Sequence, residues 1–153
     1  LDHSHVIFKI DNPEEQKIFN INKDINDGKL ILDPYEKGNI CDRWIKSNFI
    51  HHMHARSTIP NNPKNIHAQH PDGSIGRGIQ YPFVKPLTGQ YHEKWDGKLL
   101  DRWKLVVQSI VDHHYSNKGS SLEQITTEFI SPTDYGAGSV SYTHLTLPTN
   151  RDV

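Results

Sequence analysis

The spacing of apolar residues along the chain predicts helices that alternate with short strands. Asn12, followed by a proline and two glutamates, predicts a helix that continues to about Ile21, because asparagine caps helices and acidic side chains favour their first turn. A second helix is predicted over 39–47. The widest apolar stripe predicts a third helix over 99–114, and this stripe is wide enough to cover a sheet. The stripe consists of Leu99, Trp103, Val106 and Ile110.

Two stretches have the pattern of strands. Residues 49–54 begin with apolar side chains and end in imidazoles, and alternation places His52 and His54 on one face. Residues 124–130 are rich in β-branched and aromatic side chains, and the strand pattern stops at Pro132. Strands that alternate with helices predict a parallel sheet with right-handed crossovers, which makes the chain an α/β protein.

The connection over 57–95 has no sustained periodicity and contains five prolines. A connection of this length without regular structure is uncommon unless it is functional. Because it directly follows the histidine-rich strand, we expect an active-site loop, and the alternative is a disordered insertion.

Composition limits the classes of function. The net charge of −1 and a sequence pI of about 6.9 give no basic excess, so we expect no nucleic-acid partner. No apolar run approaches the length of a membrane span, so we expect no membrane partner. Cys41 is the single cysteine, which excludes an intrachain disulfide and favours a reducing compartment, the cytoplasm. The mean hydropathy of −0.70 is low for a self-sufficient domain, which indicates that part of the core lies elsewhere.

Polar side chains occur where the predicted strands end, the edge at which parallel sheets form their sites. Asp2, His54 and Glu128 hold these positions, and carboxylates with an imidazole are ligands for Mn²⁺, Mg²⁺, Co²⁺ or Zn²⁺. Taken alone, the first five residues are more typical of a frayed terminus. Glu128 is equally compatible with a solvent-facing position on an edge strand, because a buried carboxylate is costly unless it is paired.

Four motifs extend this pattern: Leu1-Asp2-x-Ser4-His5, His52-Met53-His54-Ala55-Arg56, Gly78-Ile79-Gln80 and Thr127-Glu128-Phe129-x-x-Pro132. With these motifs in this order, the chain resembles the xylose isomerase-like TIM-barrel superfamily, closest to its sugar phosphate isomerase/epimerase branch. The resemblance covers nearly all of residues 1–138. It implies a partial (β/α)8 TIM barrel, a C-terminal fragment with parallel strands six to eight and a long active-site loop.

The resemblance also implies the chemistry. Asp2, His54 and Glu128 would bind a divalent metal ion, and a further glutamate on strand five would lie before Leu1. His5 and Arg56 would contact substrate hydroxyls or an enediolate oxygen. The parent protein would be a metal-dependent isomerase or epimerase that acts on a sugar or sugar phosphate in carbohydrate metabolism. The reaction would be proton transfer next to a carbonyl. A homo-oligomer of the parent protein is compatible with this function. The fragment alone would be inactive.

Two other functions stay open. The same superfamily includes metal-dependent endonucleases that act at abasic DNA sites, but these need a basic surface that faces DNA. A non-catalytic module that binds sugar or metal is the alternative from a different class. A parent gene without the strand-five glutamate would favour the module.

The last residues have a different origin in our interpretation. Residues 140–149 look like a strand, but the DNA string GTC TCT TAT ACA CAT CTG ACG CTG CCG ACG translates into them in order. That string resembles the end of a transposon-based sequencing-library adaptor. We therefore predict that the native sequence ends near Gly138 or Ser139 and that 139–153 is a non-native tail, which excludes His144 from the site.

Overall fold

The computed structural model describes residues 1–61, 64–69, 71–78, 80–88, 91, 93–127 and 144–146, and only the backbone over 64–69, 75–77 and 144–146. The helices are α1 (Ser4–Ile7), α2 (Pro13–Ile18), α3 (Asn22–Asn26), α4 (Ile40–Lys46) and α5 (Asp101–Ser116), the last preceded by a 3₁₀ turn (Gly97–Leu100). The strands are β1 (His52–His54), β2 (Lys64–Gln69), β3 (Ile75–Arg77), β4 (Gln124–Thr126) and β5 (His144–Thr146).

The helix-start signal at Asn12 is confirmed, and a second cap occurs at Asn39. The Asn12 side chain accepts a hydrogen bond from the backbone N–H of Glu15 at 3.2 Å and caps α2, which ends at Ile18 and not at Ile21. Asn39 caps α4 in the same way, through the N–H of Asp42 at 2.9 Å. Each cap satisfies an N–H that would otherwise have no partner at the helix start.

The apolar stripe of α5 packs against the sheet as predicted. Trp103, Val106 and Ile110 are buried, and they join a core with Met53 and Ile125, which lie on the helix-facing side of β1 and β4. Leu99 differs: it lies in the 3₁₀ turn and is 44% exposed. Among the described residues, no helix is long and apolar enough to cross a membrane.

The sheet that carries the candidate site is small. β1 and β4 are parallel, with His54 opposite Thr126, and Asp2 adds one isolated parallel bridge to the other side of His54. β5 pairs with the far side of β4 in the antiparallel direction. β2 and β3 form a separate antiparallel pair.

The prediction of a partial (β/α)8 TIM barrel is therefore wrong. Only two strands of the described sheet are parallel, and the antiparallel β5 occupies the edge of β4. A barrel of this class consists of parallel strands throughout. The strand predicted to end at Asp2 is a single bridge, because the chain turns into α1 at Ser4. The alternation of helices and strands predicted a parallel sheet, and β4 is parallel to β1, but the alternation could not specify how many strands follow or their direction.

The connection over 57–95 is also more regular than predicted. It contains β2 and β3, whose pairing shifts register between Asn65 and Gln69. A register shift interrupts the alternation of apolar and polar residues on which strand prediction depends. This explains why the hairpin gave no periodic signal in the sequence.

Candidate functional site

The first two residues of the chain are built into the sheet. The N-terminal ammonium of Leu1 donates a hydrogen bond to the carbonyl of His52 at 2.6 Å, and the N–H of His54 donates to the carbonyl of Leu1 at 2.7 Å. These bonds place Asp2 in register with His54, so the segment is not a frayed terminus. Residues in register on parallel segments project to the same side, and Asp2, His54 and Thr126 thus share one face of the sheet.

The Asp2 carboxylate uses its two oxygens differently. Oδ1 accepts hydrogen bonds from the backbone N–H and the hydroxyl of Ser4. Oδ2 lies 3.5 Å from His5 Nε2 and 3.7 Å from Arg56 Nη2. Ser4 thus orients the carboxylate, and Oδ2 faces the His5 imidazole and the Arg56 guanidinium. The structure brings together three residues that the sequence assigned to one site.

Burial strengthens the interaction between Asp2 and Arg56. Their side chains are 16% and 9% exposed, whereas His5 is 50% exposed. Screening by water is weaker between partly buried charges than between exposed ones. Arg56 is thus held next to the carboxylate, while His5 lies on the solvent side of it.

Two histidines of β1 form the second half of the site. The rings of His52 and His54 contact each other edge to face, with centroids 4.6 Å apart. His52 Nε2 also lies 2.8 Å from the hydroxyl oxygen of Thr126 on β4. The contact confirms that these side chains share a face, as the alternation of the sequence predicted. His51, on the opposite side, is exposed and lies 3.3 Å from the Glu123 carboxylate.

Glu128 lies outside the described residues, and its predicted role stays a prediction. β4 is described to Thr126, which lies opposite His54. Within the part of the chain that the structure describes, no group of three or more His, Cys, Asp or Glu side chains could hold a metal ion. Asp2 and His54 supply two of the three predicted ligands on one face, and an orienting hydroxyl on a ligand carboxylate is a common feature of metal sites.

One buried residue beside the site was missed in the sequence. His3 is fully buried between β1 and α5, and its ring stacks on Trp103 with centroids 5.8 Å apart. Burial lowers the pKa of His3 to about 4, against smaller opposing effects of the Asp2 carboxylate and of backbone groups of Trp103 and His54. The imidazole is therefore neutral near pH 7. A lone histidine between an aspartate and a serine gives no pattern that could have identified it.

The loop after Arg56 is attached to the same region. Ser57 accepts a hydrogen bond at its carbonyl from the N–H of Tyr81 at 2.8 Å, and the Ser57 hydroxyl donates to the carbonyl of Tyr81. The Tyr81 hydroxyl in turn accepts from the N–H of Asp96 at 2.9 Å, just before the 3₁₀ turn. These contacts join Tyr81 to Ser57, the residue after Arg56, and Asp96 to Tyr81.

No family model, no curated protein and no solved structure matches this chain. The family resemblance thus rests on the quoted motifs alone.

Proposed function

We propose that Asp2 and His54 contribute to a divalent-metal site at which a sugar or sugar phosphate is isomerised or epimerised. The observation that carries the proposal is the register that aligns Asp2, His54 and Thr126 on one face. It supports a shared site, because a carboxylate and an imidazole from separate parts of the chain lie side by side and β4 leads toward Glu128. The proposal depends on this local register and not on a barrel.

Each residue has a role that its surroundings permit. A divalent ion held there would act as a Lewis acid toward two adjacent sugar oxygens. Glu128 would take or return the proton next to the carbonyl, as a general base or acid. Arg56 would stabilise negative charge on the substrate oxygen, since its guanidinium already faces a carboxylate oxygen at 3.7 Å. His5, half exposed beside Asp2, would bind a substrate hydroxyl.

A titration with Mn²⁺ tests the metal site. The unchanged chain should bind one Mn²⁺. Binding is measured as the loss of the free-ion signal in electron paramagnetic resonance. His54→Ala should weaken binding at least tenfold, because a lost ligand or its support typically lowers affinity by that amount. The matched control is His51→Ala, which removes an exposed imidazole from the neighbouring position on the opposite side. Equal affinity in His54→Ala and His51→Ala would refute the assignment of His54.

A second measurement separates an enzyme from a non-catalytic module. Proton transfer next to a carbonyl in D₂O replaces a carbon-bound hydrogen with deuterium, which NMR detects. If Mn²⁺ binds as predicted, deuterium incorporation into a ketose such as D-fructose supports the isomerase proposal. Because the fragment alone is expected to be inactive, only metal and sugar binding without incorporation by the parent protein favours a binding module. We place this activity in a reducing compartment, the cytoplasm, in keeping with the single thiol of Cys41.

A further inference from the structure

The contact between His52 and Thr126 runs diagonally across the sheet. In the parallel pair of β1 and β4, His52 lies opposite Gln124, and His54 lies opposite Thr126. His52 Nε2 nevertheless lies 2.8 Å from the hydroxyl oxygen of Thr126, which is two residues beyond the position opposite His52. Two residues of a strand span about 6–7 Å. The ring of His52 therefore extends toward the carboxyl end of the sheet, where Asp2 and His54 lie side by side.

Thr126 is suited to hold this ring in one orientation. Its side chain is branched at Cβ, which restricts rotation about the Cα–Cβ bond and so gives the hydroxyl a defined position. Thr126 is also buried, and a hydrogen bond is electrostatically stronger where water is excluded. The bond to Nε2 thus restricts rotation of the half-buried His52 imidazole.

The orientation of His52 in turn limits that of His54. The two rings meet at an interplanar angle of 74°, the edge-to-face arrangement that aromatic rings favour. On the other edge of β1, the bridge to Asp2 places a carboxylate next to the same imidazole. A metal ligand must direct one ring nitrogen at the ion, and the groups that orient a ligand imidazole influence metal affinity.

We propose that Thr126 and His52 are positioning residues, which together orient the His54 imidazole for the ion that it would share with Asp2. In this arrangement Nε2 of His52 is bonded to the Thr126 hydroxyl, and Thr126 acts on His54 through the ring of His52. The inference rests on the proposed function, because the two roles are defined toward the metal site.

Removal of one hydroxyl group tests this role. Thr126→Val keeps the branched side chain and removes the hydrogen bond to His52. We expect it to weaken Mn²⁺ binding about tenfold in the paramagnetic resonance titration, since loss of an orienting group typically lowers metal affinity by at least that factor. Thr126→Ser keeps the hydroxyl and should bind Mn²⁺ nearly as tightly as the unchanged chain. The control is Ser121→Ala, which removes a hydroxyl bonded to the Ile50 carbonyl at the other end of the same two strands and should leave the affinity unchanged.

A double variant tests whether Thr126 acts through His52. His52→Phe keeps a ring beside His54 and removes Nε2, so it should weaken Mn²⁺ binding about as much as Thr126→Val. The variant with both substitutions should bind no more weakly than either single variant, because both remove the same hydrogen bond. Additive losses would overturn the action of Thr126 through His52. His52→Phe also keeps the test decisive if Thr126→Val does not fold.

Nuclear Overhauser effects between the two imidazoles measure their orientation without metal. The signals that connect the ring protons of His52 and His54 should be present in the unchanged chain and in Thr126→Ser, and they should weaken in Thr126→Val. Ring signals that persist in Thr126→Val would overturn the positioning role. Equal weakening of Mn²⁺ binding by Thr126→Val and Thr126→Ser would also overturn it, since packing alone would then account for the effect.

The outcomes separate this inference from the proposed function. Mn²⁺ binding that depends on His54 and is indifferent to Thr126→Val would support the metal site and overturn the positioning role. Absence of Mn²⁺ binding by the unchanged chain would refute the metal site and the role of Thr126 toward an ion. Weaker Mn²⁺ binding by Thr126→Val, with recovery in Thr126→Ser and an unchanged urea midpoint of unfolding, would support both.

Discussion

Asp2 lies opposite His54 in a parallel bridge, and the Asp2 carboxylate shares a face of the sheet with the His54 imidazole. The main-chain bond from His54 N–H to the carbonyl of Leu1, at 2.7 Å, holds this register. A slip of one residue would turn the carboxylate to the core side. The backbone thus determines which groups of the site can act together.

Replacing Asp2 by asparagine should destabilise the fold. Asp2→Asn keeps an acceptor for Ser4 but removes the charge that faces the Arg56 guanidinium, whose side chain is only 9% exposed. We expect a loss of about 1–3 kcal/mol in the free energy of unfolding, less than for a fully buried pair because the separation is 3.7 Å. Urea unfolding followed by circular dichroism measures it.

The control for this variant is Asp42→Asn. Asp42 pairs with Lys46 at 2.6 Å on the exposed side of α4, where water screens both charges. Its loss should change the free energy of unfolding by less than about 0.5 kcal/mol. Equal effects of the two substitutions would show that the pair of Asp2 and Arg56 is no more than a surface contact.

Met53 is the buried residue of β1. It is fully buried, in the same cluster as Ile125 and Val106. Met53→Ala should lower the free energy of unfolding by about 2–5 kcal/mol, because it removes buried apolar atoms and leaves a cavity. Phe49→Ala, at a position that is 60% exposed, should change it by less than about 0.5 kcal/mol. A larger effect at Phe49 than at Met53 would contradict the described orientation of the strand.

These stability contrasts concern the part of the fold that the sequence could predict. The cap at Asn12 and the stripe of α5 are local signals, and each gave its helix to within a few residues. The alternation of residues 49–54 correctly placed His52 and His54 on one face. Local periodicity and capping need only neighbouring residues, and they can therefore be read without a structure.

The rest depends on contacts that local patterns do not encode. The antiparallel direction of β5 depends on its pairing with β4, a distant segment, and the sequence pattern of a strand is the same in either direction. The burial of His3 results from the approach of α5 to β1, which brings Trp103 onto its ring. The grouping of Asp2, His5 and Arg56 was expected from the motifs, but the orienting contact of Ser4 became evident only from the fold.

The thiol of Cys41 should be unreactive in the folded chain. Cys41 is buried, and burial raises its pKa to about 12 from an ordinary value of 9.0. Since the thiolate is the nucleophile, its fraction at pH 8 falls about a thousandfold, and alkylation by iodoacetamide should slow by at least that factor relative to the chain in urea. Mass spectrometry over time gives both rates. Comparable rates with and without urea would show that the thiol is accessible.

The origin of residues 139–153 has a direct test in the coding DNA. If the tail comes from a library adaptor, residues 140–149 should be encoded by the codons of the adaptor string in order. Synonymous codons at several of these positions would contradict this origin. Sequencing the source genomic locus past the codon for Gly138 gives the answer, and a native sequence that continues differently would remove the pairing partner that β5 gives to β4.

The central claim is that Asp2 and His54 act on one ion, and paramagnetic broadening by Mn²⁺ tests it most directly. In the ¹⁵N-labelled chain, substoichiometric Mn²⁺ should first broaden the backbone amide signals of Asp2, Ser4 and His54, since broadening falls steeply with distance from the ion. The signals of Lys46 and Ser116 should persist. Broadening that begins at Lys46 or Ser116, or that affects all amides equally, would contradict a metal site between Asp2 and His54.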